Sequence, residues 1–262
     1  MDFREHTTLG RTGLKVSRLG VAAGYGVPAT AVEKAYHEHG VNYFYWGQRK
    51  AGMRDALRHL VKTERDKLVI AIQSYDHIGW WIPGSLERGL RALGIDHADV
   101  LILGGHSFGP WKKVVDSALE LREKGRVSHI ALSGHNRRFH GTLAQKADSP
   151  IDILMIRYNA AHRGAETEVF PLLPDENRVG ITTYTATRWG KLLKASKMPP
   201  GEKPLTATEC YRFVLTHPAV DLCMTGPAND LQMDEALAAL SQGPLTDDEL
   251  ERARRIGDHV HG

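Results

Sequence analysis

Three side chains in this chain of 262 residues have types and positions suited to carbonyl or proton-transfer chemistry: Tyr45, Gln73 and His106. Tyr45 lies in the aromatic run Tyr43-Phe-Tyr-Trp46, which reads as a short strand opening into a Gly-and-charge loop. A phenol at a strand end can donate a proton to a carbonyl oxygen at hydrogen-bond range. An ordinary phenol titrates near ~10, however, and no neighbouring lysine draws this one toward neutrality, so an aromatic pocket wall is the competing role. His106, in Gly104-Gly-His-Ser-Phe-Gly109, carries an imidazole that titrates in the useful range unaided, or it is a plain surface-loop histidine. Gln73 exchanges no proton at neutral pH, but its amide both donates and accepts hydrogen bonds, which suits a polar pocket lining.

Further along, Arg157, Asn159, His162 and Arg163 form a dense polar cluster after an apolar run. Guanidinium forks there would hold a carboxylate or phosphate, or brace their own loop. Arg188 and Trp189 precede Gly190, where backbone can approach closely, and are candidates for nucleotide contact. Gly24-Tyr-Gly26 is assigned only to a pocket rim. Of the 14 histidines, His106, His135 and His162 are expected on one face, but no HExxH or comparable local pair supports a metal site, and none is assigned.

The elements that must position these residues follow a simple alternation. Apolar, β-rich segments recur at 19–23, 42–46, 68–73, 99–103, 128–132, 153–157, 180–184 and 221–225, with helical signals between them. Leu86, Leu90 and Leu93, then Val114, Val115, Ala118 and Leu119, form stripes that suit packing on a sheet. Thr30-Ala-Val-Glu33 and Thr206-Ala-Thr-Glu209 read as capping boxes, as does Thr246-Asp-Asp-Glu249 before an additional terminal helix. Thr7 to Ser17 places a Gly-rich turn between two short stretches and reads as a β-hairpin. The pattern predicts an α/β fold, a (β/α)8 TIM barrel of one domain over residues 1–262 with the hairpin capping one end and an extra C-terminal helix outside; a doubly wound open sheet is the rival.

Composition narrows the partners. The 34 basic and 31 acidic residues are interspersed and the net charge is only +3, which argues against nucleic acid. The longest apolar runs, such as 68–72, fall far short of a membrane span, so no membrane partner and a cytoplasmic location are expected. Cys210 and Cys223 read as buried thiols, not a disulfide framework.

Four stretches carry a resemblance. Leu9-Gly-Arg-Thr-Gly-Leu-Lys-Val-Ser-Arg-Leu-Gly20 resembles the N-terminal signature of the aldo-keto reductases, and Gly180-Ile-Thr-Thr-Tyr-Thr-Ala-Thr-Arg-Trp-Gly-Lys-Leu-Leu193 is similar to that family's seventh-strand segment. His217-Pro-Ala-Val220 and Thr225-Gly-Pro-Ala-Asn-Asp-Leu-Gln232 resemble its eighth-strand region. The resemblance implies a barrel enzyme using NADP(H), or alternatively NAD(H), on a small carbonyl or alcohol substrate. It places Tyr184 against the nicotinamide, Ser133 on the carboxamide, Gly226 and Gln232 in the phosphate region, and Arg188, Trp189 and Gly190 beside the pyrophosphate.

The family's chemical tetrad of tyrosine, lysine, aspartate and histidine is not kept. Tyr45 stands at the aspartate position, Gln73 at the lysine and a glycine, Gly104, at the histidine, while residues 47–51 offer no donor tyrosine. Gly134 and Met155 replace the usual asparagine and glutamine at the carboxamide, and no arginine matches the family's 2′-phosphate contact. The leading expectation is oxidoreduction with a rearranged acid, Tyr45 or His106. The alternatives are a redox-neutral lyase- or isomerase-like conversion on the same barrel, and a regulatory or binding protein without turnover.

Overall fold

A computed structural model describes residues 2–47 and 50–261. Two short strands, β1 (Thr7–Thr8) and β2 (Lys15–Val16), pair antiparallel ahead of the main fold. Eight further strands follow: β3 (Leu19–Ala22), β4 (Tyr43–Trp46), β5 (Val69–Ser74), β6 (Ala98–Leu103), β7 (Val127–Ser133), β8 (Ile153–Arg157), β9 (Gly180–Tyr184) and β10 (Leu222–Thr225). They close as a barrel in sequence order, β10 pairing with both β3 and β9, and every pair is parallel. The expected (β/α)8 barrel is therefore the fold, and the open sheet is excluded by closure.

Helices return the chain between strands: α1 (Ala29–His39), α2 (Ala51–Glu64), α3 (Ile82–Leu93), α4 (Lys112–Glu123), α5 (Arg137–Ala144), the short α6 (Ala165–Glu168), α7 (Ala207–Thr216) and α8 (Asp230–Gln242); α9 (Asp247–His261) ends the described chain. The stripes fall as their periodicity requires: Leu86, Leu90 and Leu93 of α3 and Val114 and Ala118 of α4 are buried against the strands. At α7 the capping box is complete, Thr206 and Glu209 each satisfying the other's backbone N–H. Thr246 and Glu249 repeat it before α9. Thr30 does not: α1 begins at Ala29 with Pro28 as its cap, and Glu33 accepts from His59 instead. Thr30 is the second residue inside the helix, where helical backbone keeps its hydroxyl from reaching forward to the first-turn N–H groups as a cap residue does.

Two apolar layers follow from the two-residue period of the strands. The outer layer lies between strands and helices, and the inner one fills the barrel with Tyr43, Val69, Val100, Ile102, Ile153, Leu222 and their neighbours. The hairpin plugs the N-terminal end of that interior, where Leu9 and Val16 are fully buried. Gly10, with φ +48, lies so close to the backbone of Gly180 that any Cβ would collide with it. Arg11 then ties the plug to the wall, donating to the carbonyls of Ser149 and Ile151 at 2.6 and 2.8 Å. With that end closed, access to the interior is left at the C-terminal strand ends.

Candidate active site

A cavity of about 690 Å³ opens at those C-terminal strand ends. Its floor is built from inward-facing residues, Ala22 of β3, Tyr45 of β4, Gln73 of β5, Ser133 of β7, Met155 of β8, Tyr184 of β9 and Met224 of β10. Register explains why they meet: Tyr45 pairs with Ala22 and Ala71, and Ser133 with Met155, so their side chains share one face. From this floor the cavity runs outward over the 185–193 loop and past Ala207 and Tyr211 of α7 to Gln232 and Glu235 of α8. Gly24 and Tyr25 lie on its wall, as the Gly-Tyr-Gly segment suggests.

Tyr45, Gln73 and Gly104 form one contact unit. The Tyr45 hydroxyl donates to Gln73 Oε1 and lies 3.4 Å from the Tyr75 hydroxyl. A Cβ at Gly104 would overlap the Gln73 amide nitrogen, and a Cβ at Gly47 would overlap the Tyr45 hydroxyl. The two glycines therefore make the room in which the Tyr45–Gln73 pair sits. Burial, and then the hydrogen bond with Tyr75, push the Tyr45 phenol well above its ordinary value, so it keeps its proton across the neutral range. Residues 48 and 49 of the loop after β4 lie outside the described residues, so the loop's expected lack of a donor tyrosine stands on its sequence.

Across the floor Tyr184 presents a half-buried ring. Its hydroxyl lies 3.2 Å from His135 Nδ1 and donates to the Gly134 carbonyl at 3.4 Å, which fixes the outer end of the ring. Burial pushes its phenol up to about 12. Trp189 and Gly190 continue the wall on a loop whose residues Arg188, Trp189 and Gly190 all have positive φ, at 52°, 51° and 76°. That backbone costs energy for the two non-glycine residues and bends the loop sharply toward the cavity.

The model of the aldo/keto reductase family matches residues 28–209. This chain belongs to the aldo/keto reductase family. Its structure is similar to that of aldo-keto reductase AKR11C1 from Bacillus halodurans, with a TM-score of 0.79 and 18% identity to the holo form over 96% of each chain. The apo form of the same protein gives a TM-score of 0.77 and 19% identity, over 96% of this chain and 95% of that one. Among curated proteins no sequence matches.

Membership makes a nicotinamide dinucleotide the cofactor to test against the residues present, and they fit. A flat, fixed Tyr184 ring suits a flat ring ligand, the Ser133 side chain stands on the adjoining wall, and the cavity volume lies in the range of cofactor sites. Gly226 at the end of β10 keeps its wall low, since a Cβ there would meet the Tyr25 ring at 2.8 Å. Gln232 accepts from the Ala228 N–H at 2.8 Å and so shapes the outer rim. Among the described residues, no group of three or more His, Cys, Asp or Glu side chains is placed to hold a metal ion.

Two candidates fall outside this cavity. His106 is not on the wall: Gly105, with φ +79, turns the chain back, and the His106 N–H bonds to the Ser133 carbonyl at 3.1 Å while its ring packs 4.2 Å from that of His77. It is 2% exposed, and burial together with His77 lowers it to about 4, so at neutral pH it is the neutral imidazole and not an imidazolium acid. The loop position therefore corrects both readings of it, acid and surface residue. Arg188 is also absent from the wall; its guanidinium donates to the His261 carbonyl at 3.1 Å and ties α9 to the loop.

The polar cluster after β8 divides similarly. Asn159 accepts from the N–H groups of Ala161 and His162 and donates to the Thr185 carbonyl, and Arg163 bonds Ala160 and Asp258, so these two brace loops. Tyr75, His135, Tyr211 and Glu235 all line the cavity, yet sequence reasoning gave none of them a place in the nucleotide site. Parity was a usable signal only for Tyr75, two residues past Gln73. Tyr211 and Glu235 come from outer helices, where an inward strand pattern says nothing.

Proposed function

We propose that this chain is an oxidoreductase that binds a nicotinamide dinucleotide in the cavity and acts on a small carbonyl or alcohol without the family's tuned acid. The observation that carries the reading is the pairing, across one cavity floor, of the fixed Tyr184 ring with the Gln73 amide. Bound in its reduced form, the cofactor supplies a hydride. Tyr184 holds the nicotinamide face, Ser133 its carboxamide, and Trp189, Gly190, Gly226 and Gln232 frame the rest of the nucleotide.

The protein's own part is to orient and polarise the carbonyl. Tyr45 donates to Gln73 Oε1, which leaves the amide N–H groups of Gln73, packed over Gly104, as the donors this pair offers to the cavity. A carbonyl oxygen held there is polarised by hydrogen bonds to neutral groups, a weaker device than a matched acid, which contributes ~10²–10⁴-fold. The Tyr45 hydroxyl commits its one proton to Gln73, so Tyr75, which lines the cavity 3.4 Å away and is 58% exposed, is the hydroxyl from which the alkoxide left by hydride transfer takes a proton, with solvent restoring it. Reduction of simple ketones is therefore slow in this reading.

The test is a carbonyl panel added to protein with reduced dinucleotide, following loss of nicotinamide absorbance and product by mass. Slow, carbonyl-dependent oxidation that drops in Gln73→Ala supports the reading. Nucleotide binding with no oxidation for any carbonyl or alcohol would move the site to the redox-neutral alternative.

A further inference from the structure

The charges around the outer arm of the cavity are one-sided. Among the described residues on its wall there is no lysine or arginine, and the sole carboxylate is Glu235 of α8. The cations on elements framing this arm are engaged elsewhere or stand off the wall. Lys34 of α1 pairs with Asp234 at 2.7 Å, Arg212 of α7 with Glu249 at 3.0 Å, and Arg252 of α9 with Glu202 and Glu209 at 3.3 and 3.0 Å. Lys191 and Lys194 flank Leu193 on the loop but are exposed and outside the wall. One more acid, Asp230, opens the same helix, while Asp234 on it is the partner of Lys34.

We infer that this site selects NAD(H) over NADP(H), with Glu235 the discriminating residue and Ala228 the position where a phosphate-binding cation is missing. The inference rests on the nicotinamide reading above and deepens it. With one end of the dinucleotide at Tyr184 on the barrel floor, its adenosine half occupies the outer arm between the 185–193 loop, α7 and the start of α8. A ribose there that carries two hydroxyls presents donors, which a carboxylate accepts. A ribose 2′-phosphate instead brings about two negative charges toward Glu235, and recognition of phosphate ordinarily relies on Arg or Lys forks. Ala228 lines the arm one residue before the Asn229 cap of α8 and can supply none. The acidic start of α8 adds like charge where the helix dipole would otherwise help an anion.

Equilibrium titration of the full-length protein with NADH and with NADPH, by calorimetry and by quenching of tryptophan emission, reads this directly. Trp189, on the cavity wall and 54% exposed, is a suitable reporter. NADH should bind about tenfold or more tighter than NADPH at low ionic strength, the ratio expected from one missing charge-assisted contact. Glu235→Gln should narrow that ratio to about threefold or less, and Ala228→Arg should raise NADPH affinity by about tenfold while leaving NADH within threefold. Equal or tighter binding of NADPH to the unaltered protein overturns the selectivity and leaves the nicotinamide reading standing. A preference for NADH that neither substitution moves overturns the assignment to these residues. Failure of both nucleotides to bind removes this inference together with the reading beneath it.

Discussion

Replacing Gly104 with alanine should disturb the rearranged centre in a way that depends on residue 73. A Cβ at this position overlaps the Gln73 amide nitrogen and comes within 2.8 and 3.1 Å of its Cδ and Cγ. Gly104 needs no left-handed backbone, so alanine is tolerated by the main chain and, through the unfolded state, gains about 0.4–1 kcal/mol. The amide must move, however, which breaks the Tyr45–Gln73 hydrogen bond and leaves the buried phenol hydroxyl less well satisfied at a cost of about 1–3 kcal/mol. Gly104→Ala should therefore destabilise the protein by about 1–2 kcal/mol, whereas in a Gln73→Ala background, with nothing to collide with, it should be neutral or slightly stabilising. The coupling between the two sites is then about 1–3 kcal/mol, measured as a double-mutant cycle from urea unfolding at pH 7. Carbonyl turnover should fall in either single variant while nucleotide affinity stays, because Ser133 and Tyr184 sit on the other side of the floor. If Gly104→Ala costs the same in both backgrounds to within about 0.5 kcal/mol, the claim that this glycine exists to house the amide is refuted.

Tyr45→Phe should lower carbonyl turnover about tenfold or more without weakening nucleotide binding. In the unaltered protein no activity loss from Tyr45 ionisation should appear up to about pH 10, since burial holds this phenol above its ordinary value; a limb near neutrality would contradict that. Arg188→Ala should leave nucleotide affinity within about twofold, because a lost charge-assisted contact would exceed that, and instead release the C-terminal helix to faster amide exchange. His140, fully buried with neither ring nitrogen bonded, is lowered by burial to about 4 from an ordinary 6.5. Its neutral form is favoured by folding, so its contribution, up to about 3 kcal/mol, is fully present above pH 6.5 and lost as pH falls toward 4. Urea midpoints at pH 7.5 and 5 should show the decline, and His140→Leu should flatten it.

The strands were legible because inner and outer faces are both apolar, so each reads as a short run of branched residues; β8 and β9 match the expected 153–157 and 180–184 in full. Helix starts were legible where a hydroxyl and a glutamate supplied the cap, and misread at Thr30, where a proline did the work. Within the site, Tyr45, Gln73, Ser133 and Tyr184, singled out by strand-end position and by resemblance, all line the cavity floor. The placement of His106 depended on the φ of Gly105, which the sequence permits but does not announce. Arg188 was expected beside the pyrophosphate, and only the folded chain shows that α9 brings the His261 carbonyl to its guanidinium. The fit between Gly47, Gly104 and the Tyr45–Gln73 pair is a property of volumes, invisible until the strands are in register.

The central claim is that the cavity holds a nicotinamide dinucleotide against Tyr184. Titration of the unaltered protein and of Tyr184→Ala with NADH tests it most directly. The account predicts saturable one-to-one binding that weakens about tenfold or more when the ring is removed, as loss of a stacked aromatic surface requires. Binding of equal strength to both proteins would contradict it.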